Sequence, residues 1–428
     1  LDTAAPGARL ACWANCICAT CLLEAWHRVV CKYSRKQRNS LAMGPKLALE
    51  VPGEGAPTSL MEWAQKKQSQ GSGLSINVTA DETMGTSFRV SDDGTLQLLS
   101  ESCSNYHINS EGMSKASTPA AEHSPAVSDR HYNCRSSEIE KMQLLGRGAS
   151  GTVYKGLHRP SKTLVAVKEV NAMDKVSRDQ MLNEVRTLCD LPELEGLVKF
   201  YGAFYTQEEG RISIIIEYMN AGNLEDLVQK LPGKRFPEHI LSAICGKILT
   251  GLRYLHEHRS LVHRDIKPAN LLMNLNGEPK ITDFGISSSL IDKENCQTNV
   301  GTFQYMSPER LGNLPYSFAS DIWAIGLCIL ELAIGEYPYQ NAAPVPFILE
   351  VTTGEAPLPP AGEYSEELRD FVGLCMEKDP DDRPSAVALL NHPWILKHRA
   401  ACAELNSFVC SIIPDSQQRI AEDAALTR

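Results

Sequence analysis

Positive charge is in short supply in this chain of 428 residues: 42 Lys and Arg stand against 52 Asp and Glu, a net charge of -10. A protein that grips nucleic acid mainly by neutralising phosphates needs a basic face, so no nucleic-acid partner is expected. Long hydrophobic runs are also missing. The apolar stretch from Leu10 to Leu23 covers about 14 residues, short of the roughly 20 that span a bilayer, and no transmembrane segment is expected. Regular cysteine spacing is absent as well. Nine of the 14 cysteines are scattered between Cys103 and Cys410, which reads as free thiols in a reducing compartment. The other five, Cys12, Cys16, Cys18, Cys21 and Cys31, crowd the first 31 residues, yet no CxxC element faces another at zinc spacing. A starting Met is lacking too, which reads as a fragment or as a misassigned start with Met43 a candidate initiator, and residues 1–43 are expected to be a Cys-rich segment, non-native or disordered. A chain starting there would carry Ala48 where myristoylation wants Ser or Thr, so no lipid anchor is expected.

What is present changes in texture along the chain. Residues 44–137 are rich in Ser, Gly, Thr, Asn and Glu, the composition of a mostly disordered linker. One island, FRVSDDGTLQLL (88–99), sets two strand-like runs around Asp93-Gly94 and predicts a hairpin. From Glu138, strand-like runs such as TLVAVKEV (163–170) and RISIIIEYM (211–219) come first. Helical periodicity then dominates, as in HILSAICGKILTGLRYLHEH (239–258). The pattern predicts an α+β domain with a small β-rich lobe followed by a larger helical lobe over 138–396, and a separate C-terminal segment over 397–428.

GRGASGTV places Gly146, Gly148 and Gly151 as GxGxxG, a pattern shared with dinucleotide folds. The next segment decides between them. A dinucleotide fold needs a helix straight after the glycines, whereas Val153 and Tyr154 begin another strand, so the glycines belong to a strand-turn-strand that lays backbone over phosphates. VAVK then puts Lys168 on the neighbouring strand, where an ammonium can hold nucleotide phosphates. In MLNEVRTL, Met181, Leu182, Val185 and Leu188 form an apolar helical stripe, and Glu184 can turn inward to orient Lys168. HRDIKPAN (263–270) and DFG (283–285) supply what phosphoryl transfer needs: a carboxylate to position the attacking hydroxyl, Asp265, and oxygen ligands for magnesium, Asn270 and Asp283. Lys267 suits a transferred phosphate, and His263 suits packing behind the loop.

With the glycine loop, VAVK, HRD, DFG and SPE in order, residues 139 to about 396 resemble a eukaryotic protein kinase domain. The YMSPER segment (305–310) is similar to the MAP kinase kinase family. The resemblance implies the two-lobed kinase fold, with ATP and Mg2+ as cofactors. It implies dual-specificity transfer to Thr and Tyr in the activation loop of a MAP kinase, and a cytoplasmic protein that also enters the nucleus. It points to Ala166 and Val153 around the nucleotide, Glu217 and Met219 at the adenine-binding hinge, a buried Glu309–Arg383 pair, and Asp321 bracing the catalytic loop. A Ser/Thr kinase of a neighbouring branch and a pseudokinase scaffold are the rival readings. Intact Lys168, Glu184, Asp265, Asn270 and Asp283 speak against the scaffold.

The family places two phosphorylated hydroxyls in the activation loop. Here Thr298 matches the second, while the first falls on Asp292, Lys293 or Glu294 according to spacing, and none of these is a hydroxyl. Arg264, just before Asp265, implies a basic pocket awaiting the Thr298 phosphate. Leu405, Phe408, Val409, Ile412 and Ile413 follow helical spacing and resemble the segment where the upstream MAP kinase kinase kinase docks. Packing on the large lobe is the structural alternative. Near the start, RKQRNSLAM (35–43) resembles a MAP kinase docking peptide.

Overall fold

The structure, a computed structural model, describes residues 88–90, 95–98, 106–115, 134–148, 151–172, 175–189, 191–284, 288–289, 303–339 and 343–428, all within one compact unit, Thr83–Arg428. No helix among them is long and apolar enough to cross a membrane.

The small lobe is a five-stranded antiparallel sheet: β5 (Ile139–Gly148), β6 (Gly151–His158), β7 (Thr163–Asn171), β8 (Phe200–Thr206) and β9 (Arg211–Glu217), in the order β5-β6-β7-β9-β8. The near-continuous apolar runs of β7 and β9 have a simple cause. Both strands are interior, so both of their faces are covered. Val165, Val167 and Ile215 pack with Phe204 and Cys134 on one side, while Ala166, Val170, Ile212, Ile214 and Ile216 join the main core on the other. Helix α1 (Lys175–Cys189) lies against the second side through Met181, Leu182, Val185 and Leu188, all buried, as the stripe predicted.

Ahead of this lobe, the predicted hairpin has its strands at β1 (Phe88–Val90) and β2 (Leu96–Leu98). It continues into β3 (Tyr106–Asn109) and β4 (Gly112–Lys115), which make a four-stranded antiparallel meander inside the stretch expected to be mostly linker. These strands are three or four residues long, too short for periodicity to announce them.

The large lobe is helical: α2 (Leu224–Val228), α3 (Glu238–Arg259), α4 (Pro308–Leu311), α5 (Ala319–Ile334), α6 (Pro344–Thr353), α7 (Glu366–Cys375), α8 (Ala386–Leu390) and α9 (Pro393–Lys397). Helix α5 is apolar nearly all round and is the lobe's axis, as full burial requires. Gly326 lets it approach α7, because an added Cβ would press on Cys375. Strand β10 (Gly222–Asn223) leads into α2, and β11 (Leu261–Val262), β12 (Leu271–Met273), β13 (Pro279–Ile281) and β14 (Ser288–Ser289) run between α2 and α4. The pairings β10-β12-β13 and β11-β14 fix the two ends of the loop that carries Asp265.

The C-terminal segment forms α10 (Leu405–Ile412) and α11 (Ser416–Leu426). Leu405, Val409 and Ile413 are buried in the large-lobe core, and Phe408 lies 6.0 Å from the Phe236 ring. Helix α11 carries Asp423 to Lys155 of β6 (2.6 Å) and Asn220 (3.0 Å), a tie that no sequence signal announced.

Candidate active site

The glycine loop has the strand-turn-strand form its sequence predicted: Gly146 pairs with Val153 and Gly148 with Gly151, in register. Gly151 has φ +123°, and a Cβ there would strike the Glu169 carbonyl, so only glycine fits. Gly146 and Gly148 have nothing within 4 Å of an added Cβ, which leaves their backbone open to a ligand. Residues 149–150 lie outside the described residues.

Lys168 lies on the face of β7 that looks toward α1. Its ammonium bonds two carboxylates from separate elements, Glu184 of α1 at 2.6 Å and Asp283 at 2.8 Å. Burial lowers the proton affinity of Lys168, but Asp283 and Glu184 outweigh it and hold the amine charged, above its ordinary value. Burial likewise pushes Glu184 up, with the Lys168 ammonium opposing. For Asp283 burial is overcome, chiefly by Lys168, and the carboxyl sits below the usual carboxylate range. Asp283 has φ 67°, the left-handed region that costs a non-glycine residue about 1 kcal/mol or more. The Lys168 contact helps hold it there.

The loop of 263–270 is organised by Asp321, buried on α5. One of its oxygens accepts from the His263 amide (2.8 Å) and His256 Nε2 (2.9 Å), and the other from the Arg264 amide (2.9 Å). Burial raises the carboxyl, but these partners outweigh it and keep it below the usual range. Arg264 is held at φ 72°, and its carbonyl accepts from Arg310 at 2.7 Å. His263 is wholly buried with its ring edge on Phe284. Nδ1 accepts from the Asp265 amide (3.3 Å), which leaves Nε2 to donate to the Thr282 carbonyl (3.1 Å). Burial lowers its pKa, in keeping with a neutral ring that packs rather than titrates.

Asp265 is 6% exposed. Its Oδ2 accepts from Lys267 (2.8 Å) and from Asn270 Nδ2 (2.8 Å), and the same amide nitrogen also reaches the Asp265 carbonyl (2.9 Å). Among the described residues, Oδ1 is buried without a hydrogen-bond partner. An orphaned carboxylate oxygen is costly unless something arrives to use it. The Asn270 carbonyl accepts from the Thr282 amide at 3.1 Å, which ties this loop to the segment bearing Asp283.

At the hinge, Ala166, Ile216 and Met219 are buried and Val153 is partly so. The Glu217 carboxylate turns away to Lys280 (2.7 Å) and the Lys199 amide, so only its backbone faces the cleft side. Deeper in the large lobe, Arg383 grips Glu309 through two 2.8 Å bonds and also donates to the carbonyls of Glu377, Lys378 and Ala319. Sequence reasoning missed His256 and Arg310. Neither carries a local signal, since His256 meets Asp321 across 65 positions and Arg310 meets Arg264 across 46. Thr298, with Asp292, Lys293 and Glu294, lies outside the described residues, and so does RKQRNSLAM.

A β lobe and a helical lobe that bring a glycine loop, a paired lysine and a carboxylate loop together define the class: this is a protein kinase fold. The protein kinase domain family matches residues 139–395. Among curated proteins, mitogen-activated protein kinase kinase 3 of Arabidopsis thaliana is 46% identical over 334 residues, 78% of this chain and 64% of that protein. Protein kinase wis1 of Schizosaccharomyces pombe is 32% identical over 405 residues, 90% of this chain and 62% of its own length. Mitogen-activated protein kinase kinase SIPKK of Nicotiana tabacum is 32% identical over 361 residues, 82% of this chain and 98% of that protein. The chain belongs to the MAP kinase kinase family. It spans a little under two thirds of the length of the first two relatives.

Proposed function

We propose that this chain is an active MAP kinase kinase that transfers the ATP γ-phosphate to Thr and Tyr hydroxyls in the activation loop of a MAP kinase. The observation that carries the reading is the Asp265 carboxylate, with Oδ2 fixed by Lys267 and Asn270 and Oδ1 left, among the described residues, without a partner. That oxygen accepts the proton of the incoming hydroxyl as its bond to phosphorus forms and the bridging bond to the leaving diphosphate breaks. Lys267 neutralises charge on the transferred group. Lys168, kept charged and oriented by Glu184, grips the nucleotide phosphates under the open backbone of Gly146 and Gly148.

The family's cofactors suit these residues. The amide nitrogen of Asn270 is committed to Asp265, which leaves its amide oxygen as the donor to a metal, and the Asp283 side chain is 25% exposed, so both offer oxygen to Mg2+. Bound magnesium supplies charge neutralisation on the phosphates. The adenine is received by the Glu217 to Met219 backbone against Ala166 and Val153.

Control rests on Thr298, whose phosphate settles on Arg264, with Asp292 or Glu294 giving partial mimicry at the other site. The upstream MAP kinase kinase kinase docks on the C-terminal helix. Burial of Leu405 and Val409 in the large lobe favours their packing role, and narrows this surface to the partly exposed Phe408 and Ile412. The organisation is a kinase domain over 138–396, preceded by 1–43 and 44–137 and followed by 397–428. Incubating phosphatase-treated protein with a panel of kinase-inactive MAP kinases tests the reading, with Asp265→Asn as blank and Thr298→Ala alongside. Phosphate on both Thr and Tyr of one substrate is expected. Phosphate on Ser or Thr alone moves the chain to a neighbouring branch, and none at all, before or after an upstream kinase acts, favours the scaffold.

A further inference from the structure

We propose that the sheet β1–β4, which precedes the matched kinase domain, positions α1 and through it the Lys168–Glu184 pair. Three observations carry this. The first is register. Leu96 stands opposite Ile108 and Ile108 opposite Met113, so the three form one row across three strands. His107 and Ser114 form the neighbouring row on the other face. The apolar row is 1%, 0% and 4% exposed, whereas Ser114 is exposed and His107 half-buried. A sheet with one dry face must be covered by something.

The second observation is what covers it. Strands β3 and β4 lie against β8, and Leu96, Ile108 and Met113 share one buried core with Ala203 and Tyr205 of that strand, while α1 is met at its last residue. The Cys189 thiol, at the last residue of α1, donates to Met113 Sδ at 3.7 Å. The sheet is also fastened at the β3–β4 turn, where the Ser110 carbonyl accepts from the Ser136 amide (2.9 Å) and Glu111 pairs with Arg135 (3.4 Å). It therefore joins the start of the small lobe to the far end of α1.

The third is leverage. Glu184 lies about 7.5 Å along the helix axis from Cys189, and helix shifts of about 1–2 Å are the usual size of a switching movement. Such a shift breaks a 2.6 Å contact. Lys168 then keeps its other partner, Asp283, at 2.8 Å and is drawn toward the carboxylate that serves the metal. Leu96, Ile108 and Met113 are thus positioning residues. They touch neither nucleotide nor substrate, and their effect reaches the phosphates through Glu184.

The proposal rests on the kinase reading for its turnover readout, but nucleotide binding tests it separately. In the full chain, Met113→Ala and Ile108→Ala are compared with the volume-conserving Met113→Leu, by titration with Mg-ATP and by steady-state kinetics. The expected result is a Kd for Mg-ATP raised about fivefold or more by either alanine, with Met113→Leu close to the parent. Combined with Lys168→Met, Met113→Ala adds no further loss, because the pair through which it acts is already gone. Cys189→Ala, a smaller change made from the α1 side, shifts Kd in the same direction and serves if the alanine variants do not fold. Variants that melt earlier yet keep the parent Kd and KM, or losses that simply add on the Lys168→Met background, overturn the proposal. A parent chain that binds Mg-ATP but phosphorylates no MAP kinase ends the functional reading and leaves the titration standing.

Discussion

In the large lobe, Asp321 accepts three hydrogen bonds and Arg383 makes five, all inside the lobe. In the small lobe, Glu184 reaches Lys168 by one 2.6 Å contact across two elements, and Lys168 is shared with Asp283. Redundant buried bonds make the loop of Asp265 rigid, because releasing any one group leaves others buried and unpaired. The Lys168 contact is carried on a helix and gives way when the helix moves. The fold therefore keeps the groups proposed for proton acceptance fixed, and places the movable joint at the lysine proposed to grip the phosphates.

Four changes sharpen or break that contrast. Asp265→Asn removes the oxygen left open to the substrate hydroxyl, and kcat is expected to fall about a hundredfold to ten-thousandfold with Mg-ATP affinity nearly unchanged. A fall of less than tenfold would remove Asp265 from its proposed role. Arg383→Leu strips the buried Glu309 of its partner, and the loss of stability is expected at about 3–5 kcal/mol, read from urea or guanidinium midpoints. By contrast Glu184→Gln leaves Lys168 still paired with Asp283, so its cost in denaturation is expected to be about 1 kcal/mol while kcat/KM drops sharply. Equal losses of stability from these two variants would erase the distinction between the lobes.

The smallest effect is a matter of pH. His263 is neutral in the fold because burial holds its pKa below the ordinary 6.5. As pH falls through about 6.5 the unfolded chain takes up a proton that the folded chain refuses, so this contribution to stability is full above that pH and declines below it. Midpoints measured from pH 7.5 to 5 are expected to slope downward on the acid side, and less so in His263→Phe. An unchanged slope in that variant would assign the decline to other groups.

The residues brought together around the cleft were legible because their motifs are contiguous: HRDIKPAN holds Asp265, Lys267 and Asn270 within eight positions, and local chemistry suffices to name them. The strand-turn-strand at the glycines was legible for the same reason, since Val153 and Tyr154 follow at once. The meander was half legible. Asp93-Gly94 announced one hairpin, while β3 and β4 were too short to show a period. At the C-terminus, helical spacing picked out Leu405, Phe408, Val409 and Ile412 as one face without saying what lay against it. The lobe covers Leu405 and Val409 and leaves Phe408 and Ile412 partly open.

By itself the sequence determined the class of fold, the two lobes and the chemical groups of the cleft, because periodicity and motif chemistry act over neighbouring residues. Only the tertiary structure decided which partners those groups have. His256 on Asp321, Arg310 on the Arg264 carbonyl, Asp423 on Lys155 and Met113 on Cys189 at the end of α1 all join positions far apart in the chain. Burial fixes such pairs, since a polar or apolar surface withdrawn from water must find its complement wherever the fold delivers one.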